Sequence, residues 1–326
     1  MKNFLTLLFA VILLFFPFLT QAQTTSDPLT GWAYPWLTGS EQRNPEADPD
    51  TLMHVSGSEL SFTRGQTKDM FFAPDWHPEE HPAMPDIVKF GRKPDVIACG
   101  VCHRADGPGG PENASINGLS AEYIIEQFGA FKRGTRMPAI APNQGTSHWM
   151  RSIAQSISDA ELQVAAQYFA SIKPGKNIDV VEADLIPKVK NNKMLFTYQN
   201  TDEKEALGNR IIEVPNDEER FENRDSHSRF TAYVPIGSTA KGKYLAEGIE
   251  PGKTIQCALC HGAGLKGTGL VPRLAGRSPT YIARQLFDIK HGGRTGNEVA
   301  PMLAVVEKLN SDDLMSLAAY VASLSP

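Results

Sequence analysis

Apolar side chains recur at helical spacing in paired stretches of the chain. In 121–132 the residues Tyr123, Ile124, Phe128 and Phe131 share one helical face, and 280–290 shows the same kind of spacing. Two more helices are predicted, from Ser158-Asp159 through Leu162 to Ile172 and from Ser311-Asp312 through Leu314 to Leu324. In each, Ser or Asp is placed to cap the free N–H groups. Pro174 stops the first and Pro326 closes the chain. Shorter helices are predicted at 85–90 and 239–246.

Three other patterns interrupt this one. Phe4 to Phe18 is almost wholly apolar, follows Lys2 and precedes the small residues of Thr20-Gln21-Ala22, which predicts a cleaved export signal over 1–22. A retained anchor is the alternative, but the run is short of the roughly 20 residues a bilayer span needs. Membrane contact is therefore expected only if the leader is retained. The stretch 23–82 is rich in proline and carries Trp32, Trp36 and Trp76, which predicts an ordered arm held by aromatic contacts. The stretch 175–234 holds short β-favouring runs, Met194 to Tyr198, Arg210 to Val214 and Phe230 to Val234.

All four cysteines fall in one pattern used twice, Cys99-Gly100-Val101-Cys102-His103 and Cys257-Ala258-Leu259-Cys260-His261. Cys-x-x-Cys-His is the attachment signature of c-type haem. Two thiols three residues apart on a helical turn each bond one haem vinyl group, and the next residue, His, faces the iron. A redox dithiol would sit in a strand–helix context that is absent here. A four-cysteine zinc site would leave the repeated His unexplained, and paired disulfides would be unusual staples.

The repeat extends beyond the cysteines. At an offset of 158, Gly118 maps to Gly276, Tyr123 to Tyr281, Gln127 to Gln285 and Gly134 to Gly292. At an offset of 152, Met150 maps to Met302, Leu162 to Leu314, Ala166 to Ala318, Tyr168 to Tyr320 and Ser171 to Ser323. Two copies of one helical unit, with a six-residue insertion between Gly134 and Met150, account for this.

Over 83–174 and 235–326 the chain resembles a tandem dihaem member of the class I cytochromes c. The likeness rests on the attachment motifs and on Pro301-Met302 followed by Leu309, Asp312, Leu314 and Ala318-Ala319-Tyr320. It implies an all-α fold, two small class I cytochrome c domains in tandem at 83–174 and 235–326. An irregular N-terminal arm (23–82) and a partly β inter-domain segment (175–234) would complete it. It also implies two covalently bound haem c groups, attached through Cys99 and Cys102 and through Cys257 and Cys260, with His103 and His261 as proximal iron ligands. The family's sixth ligand is a Met in the loop before the last helix, which maps to Met150 and Met302; Met137 and His148 remain rivals for the first iron. A proline carbonyl in this family accepts the N–H of the proximal His. Pro272 matches that position in the second copy, whereas the first copy has Ala114.

A net charge of -5, or -6 without Lys2, argues against a nucleic-acid partner and fits redox proteins with basic patches. The resemblance implies electron transfer in the bacterial periplasm. The chain would act as a soluble carrier or as the electron-accepting subunit of a dehydrogenase, with an oxidase or other acceptor downstream and no catalytic residues of its own. The alternative is a dihaem enzyme such as a peroxidase, with one open iron and His148 as its acid–base group. The run Trp76-His77-Pro78-Glu79-Glu80-His81-Pro82 with Met84 suggests copper, but prolines flank both histidines and the expectation is a packed arm without metal.

Overall fold

The computed structural model describes residues 27–38, 48–192 and 194–326. The expected leader at 1–22 lies outside them. No helix among the described residues is long and apolar enough to cross a membrane.

Aromatic side chains fasten the arm at two places. Helix α1 (Thr30–Ala33) carries Trp32 and Ala33, with Leu29 and Tyr34, into a core built otherwise mostly from the C-terminal part of the chain. Strands β1 (Leu52–Met53) and β2 (Phe62–Thr63) pair and lead into α2 (Arg64–Lys68). A capping box between Thr63 and Gln66 closes the first turn of α2. Trp76 packs with Met53, Val55 and Phe62, and its indole N–H donates to the carbonyl of Asn223 at 2.8 Å. That last bond joins the arm to the segment between the helical units.

The first helical unit comprises α3 (Asp86–Lys89), α4 (Cys99–His103), α5 (Ala121–Arg133), α6 (Thr146–Ser156) and α7 (Asp159–Ser171). Ser120 caps α5, and Gly134 ends it in the left-handed conformation. Tyr123, Ile124, Leu162, Phe169 and Val101 share one core. Helix α6 departs from the sequence expectation, which put Met150 in a loop. Ile153 and Ala154, three and four residues beyond Met150, are buried, so the stretch has an apolar face and forms a helix.

Between the units lie β3 (Ile178–Glu182), β4 (Leu185–Pro187), β5 (Val189–Asn191), β6 (Phe196–Tyr198), β7 (Lys204–Ala206), β8 (Ile212–Pro215), α8 (Glu218–Glu222) and β9 (Phe230–Val234). Strand β9 is central, parallel to β3 with Ile178 opposite Phe230, and antiparallel to β8 with Ile212 opposite Tyr233. The β4–β7 and β5–β6 pairs complete a small β body around Ile186, Leu207, Ile212 and Val214.

The second unit repeats the first as α9 (Ser238–Ala246), α10 (Ala258–His261), α11 (Pro279–Lys290), α12 (Ala300–Val306) and α13 (Ser311–Ser323). Met302 lies in the first turn of α12, again on a helix. The cap of α13 is Asn310, one residue before the expected Ser311-Asp312. Its Oδ1 accepts the N–H of Asp313 at 2.9 Å, and Asp313 returns the bond to the N–H of Asn310. The repeat is physical down to single contacts. A Cβ on Gly118 would lie 2.7 Å from Cδ of Pro174, and one on Gly276 would lie 2.8 Å from Cδ of Pro326.

The tightest approach in the second unit is the crossing of α9 over α13. A Cβ on Gly242 would sit 2.0 Å from the carbonyl oxygen of Ser316 and 2.6 Å from Cβ of Tyr320. Backbone cannot yield as a side-chain tip can, so the helices would have to separate. Gly242→Ala is expected to cost about 3 kcal/mol or more in guanidinium unfolding, at or above the upper end of ordinary overpacking. Gly175→Ala, where nothing lies within 4 Å, is expected to stay within about 0.5 kcal/mol.

Candidate haem centres

Each Cys-x-x-Cys-His motif forms a single helical turn, α4 in the first unit and Cys257 with α10 in the second. The turns end on a backbone with positive φ, +68° at Arg104 and +74° at Gly262. The first copy holds a strained non-glycine residue where the second has the residue suited to it. Both histidine rings are oriented alike. Nδ1 of His103 donates to the carbonyl of Ala114 at 2.8 Å, and Nδ1 of His261 to that of Pro272 at 2.8 Å. This fixes the tautomer and leaves each Nε2 with its lone pair. Burial lowers the basicity of both imidazoles, outweighing the hydrogen bonds to Ala114 and Pro272 that raise it.

Burial also pushes the thiol of Cys99 up to about 12 and that of Cys257 up to about 11, and raises Cys102. A nucleophilic or zinc-binding pair needs thiolates, held by a lowered pKa. These thiols are neutral.

The two sites differ in enclosure. Around α4 the chain forms a cleft of about 1400 Å³, part of it open to solvent. It is lined by Cys99, Cys102, His103, Phe128, Phe131 and Met150 of the first unit, but also by Tyr34 and Trp36 of the arm and by Arg277, Tyr281 and Arg284 of the second unit. Of the rivals to Met150, Met137 is buried among Phe131 and Ala154 with its N–H bound to the carbonyl of Gly293, and His148 is exposed. Around α10 the chain is open. Cys260 is exposed, and so are Leu259 in the turn (72%), Leu270 before Pro272 (63%) and Leu303 beside Met302 (49%). Together they are apolar surface of the kind a large flat apolar group covers.

Between the sites runs a seam with approximate two-fold symmetry. Arg136 and Arg294 form an antiparallel bridge, with the N–H of Met137 bound to the carbonyl of Gly293 and the N–H of Thr295 to that of Thr135. Arg136 donates to Gln127 at 2.6 Å, and Arg294 donates to the same amide oxygen at 3.0 Å. Both also donate to Gln285, at 3.3 and 3.1 Å, and Arg136 reaches the hydroxyl of Tyr281 at 2.7 Å. Arg273, Arg277 and Arg284 are buried beside them. Among the described residues, every hydrogen bond these five guanidinium groups donate ends on a neutral oxygen. Nε of Arg273, Arg277 and Arg294 has no partner, nor has Nε1 of Trp36. Burial is opposed and outweighed at the Tyr281 phenol by these charges, which hold it below its usual range. Burial raises the nearby carboxyl of Glu112 and pushes that of Asp288 up to about 6, so Asp288 is ionised near neutral pH and offsets only part of the five guanidinium charges.

Buried positive charge that is only partly paired is costly. The donor set fits a group that is flat and apolar on one side and carries carboxylates on the other. Haem, with two propionates and two thiol-reactive vinyls, is such a group.

Comparison with known proteins agrees. Residues 250–321 match the family described as cytochrome C oxidase, cbb3-type, subunit III. Cytochrome c4 of Pseudomonas aeruginosa is 24% identical over 70% of this chain and 85% of its own length. The thiosulfate dehydrogenase electron acceptor of Thiomonas intermedia is 25% identical over 72% of this chain and 82% of its own. Cytochrome c-554(548) of Halomonas halodenitrificans is 32% identical over 21% of this chain and 82% of its own. The chain belongs to the dihaem class I c-type cytochromes.

This cytochrome carries two covalently bound haem c groups and transfers electrons; it is a carrier and not an enzyme. The sequence pattern points to the cysteines, both motif histidines, Met150, Met302 and Pro272 as candidates. The arginine seam was not read there, although Arg136 and Arg294 stand at the repeat offset of 158, two residues past the last matched pair before the insertion.

Glu213 sits at the root of this seam. Its Oε2 accepts from Oγ of Ser278 at 2.6 Å and from the N–H of Thr280, the first turn of α11. Burial nonetheless pushes its carboxyl up to about 7. A carboxyl that binds its proton more tightly folded than unfolded, where it titrates near 4.3, favours the native state most below that value. Its contribution is lost as pH rises towards 7, by on the order of 3 kcal/mol. Urea unfolding from pH 4 to 8 is expected to show Glu213→Gln flatter than the wild type and more stable at pH 8.

Proposed function

We propose that this cytochrome holds its first haem through Cys99, Cys102, His103 and Met150 and its second through Cys257, Cys260, His261 and Met302. The domains would span 83–174 and 235–326, with 23–82 as arm and 175–234 as connector. The observation that carries the assignment is the paired geometry of the two histidines, each with Nδ1 tied to a carbonyl eleven residues on and Nε2 left available. Bound iron supplies reversible one-electron exchange between its ferric and ferrous states. Neutral thiols become thioether links, and the histidine tautomer is set before iron binds. Met150 lines the first cleft and supplies a soft thioether, which favours ferrous iron and closes the coordination sphere. Met302 takes the same place on α12. The buried arginines hold the propionate end and exclude bulk water from the seam.

Redox proteins are the partners. A dehydrogenase as donor, and an oxidase or another acceptor downstream, suits a carrier with two centres; the Thiomonas relative is named as the electron acceptor of a thiosulfate dehydrogenase. The compartment proposed is the bacterial periplasm, on the leader pattern of 1–22 and the need for covalent haem attachment.

The competing peroxidase-like reading requires one open iron and an acid–base group. His148 is exposed, whereas Met150 is in the cleft. Spectroscopy of the dihaem protein separates the two. Both haems are expected to be low-spin, with a sulfur-to-iron charge-transfer band and no response to carbon monoxide when reduced. Met302→Ala should remove half of that band, lower one reduction potential and create one carbon monoxide site; Met150→Ala should do the same for the other haem. A wild-type protein that binds carbon monoxide would remove Met150 from the assignment.

A further inference from the structure

Outside the residues assigned to the haem sites, two loops distant in sequence bring two histidines and three carboxylates together. His77 and Glu80 belong to a turn of the arm, closed by the N–H of Glu80 on the carbonyl of His77. Asp225 and His227 belong to the loop between α8 and β9. The imidazoles of His77 and His227 stack face to face, with centroids 3.6 Å apart and planes 10° from parallel. Nε2 of His77 lies 3.1 Å from Oδ1 of Asp225, and Nε2 of His227 lies 2.7 Å from Oε2 of Glu80. One ligand atom each from His77, Asp225 and His227 falls within a 4.8 Å group, as does one each from His77, Glu79 and Glu80.

The surroundings preorganise this cluster. His77 and Asp225 are buried, while His227 and Glu80 open to solvent and provide an entry path. Oδ2 of Asp225 is occupied by Nη1 of Arg220 at 2.7 Å, and the N–H of His227 donates to Oδ1 at 2.9 Å, so the carboxylate is fixed in orientation. With Arg220 counted against Asp225, Glu79 and Glu80, the pocket carries a formal charge of -2 when the histidines are neutral. His81, the partner that sequence spacing suggested for His77, is engaged elsewhere, with Asp75, the carbonyl of Pro82 and Tyr168. The prolines that argue against a chelate within the arm alone do not obstruct one made between two segments.

We propose that His77, Asp225 and His227, with the two imidazoles unstacking and Glu80 turning in from its present contact with His227, bind one divalent first-row transition-metal ion of the zinc class, pinning the arm to the inter-domain segment. Two imidazoles and two carboxylates are the donor set such ions take in four-coordinate sites. Donors around a tetrahedral zinc stand roughly 3.3 Å apart, given bonds of about 2.0–2.1 Å, close to the two contacts already made here. The ion would take up the ring nitrogens and carboxylate oxygens that now contact one another, each neutral imidazole keeping its proton on the other nitrogen.

The test uses the haem-loaded protein, stripped with a chelator and titrated with zinc against a chromophoric competitor, with metal content measured after dialysis. One zinc per two haem irons is expected, with a rise in thermal midpoint. His227→Ala is the informative variant, because that side chain is partly exposed and its loss leaves no buried charge unpaired. It should keep the haem spectrum and the zinc-free midpoint but bind zinc at least tenfold more weakly, with no thermal shift. Glu80→Gln should fall between. If the wild type retains no zinc, or if His227→Ala retains as much as the wild type, the proposal is wrong and the cluster is only a hydrogen-bonded clasp.

Discussion

Five buried arginines that, among the described residues, donate only to neutral oxygens set the terms for the rest of this molecule. Guanidinium groups keep their charge even here, where burial and the neighbouring Arg277 pull Arg273 down to about 9, so the energy of the seam depends on what anions reach it. Burial raises Glu112 and pushes Glu213 up to about 7 and Asp288 up to about 6, so near neutral pH Glu213 and Asp288 supply only part of the balancing charge. Haem propionates would suit the remaining positive charge, and this would link the fold to its cofactors.

The same seam explains why the two centres differ although the units repeat. In the first unit the arm, through Tyr34 and Trp36, and the second unit, through Arg277, Tyr281 and Arg284, complete one wall of the cleft. Helix α11 contributes to that wall and is itself positioned by Glu213 from the connector. The second site receives no comparable cover, and Leu259 and Leu270 stay exposed. A more buried iron and a more open one, with an Ala114 carbonyl behind one histidine and a Pro272 carbonyl behind the other, will not share one potential.

Much of this was legible in the sequence because haem attachment is written in contiguous residues and the repeat duplicates it. Helices α5, α7, α11 and α13 follow from apolar periodicity and caps, and their ends agree with the expectation to within a residue or two. Helices α6 and α12 do not follow from the family pattern, which places Met150 and Met302 in a loop; the short amphipathic face of Ile153 and Ala154 is what makes the first of them helical. The seam escaped for another reason: Gln127, Arg136, Gln285 and Arg294 each look like ordinary polar helix or loop residues, and only tertiary packing makes them neighbours. The His77–His227 stack is likewise invisible along the chain, its halves being separated by a whole helical unit.

The central claim is that one charged seam serves both haems. A spectroelectrochemical titration of Arg294→Gln against the wild type tests it most directly, since Arg294 donates to Gln127 of one unit and Gln285 of the other. Removing a buried positive charge disfavours the reduced, less positive iron wherever that charge is felt. The account expects both midpoint potentials to fall, by comparable amounts, with the low-spin spectrum kept. A shift confined to one haem, or no shift in either, would contradict it.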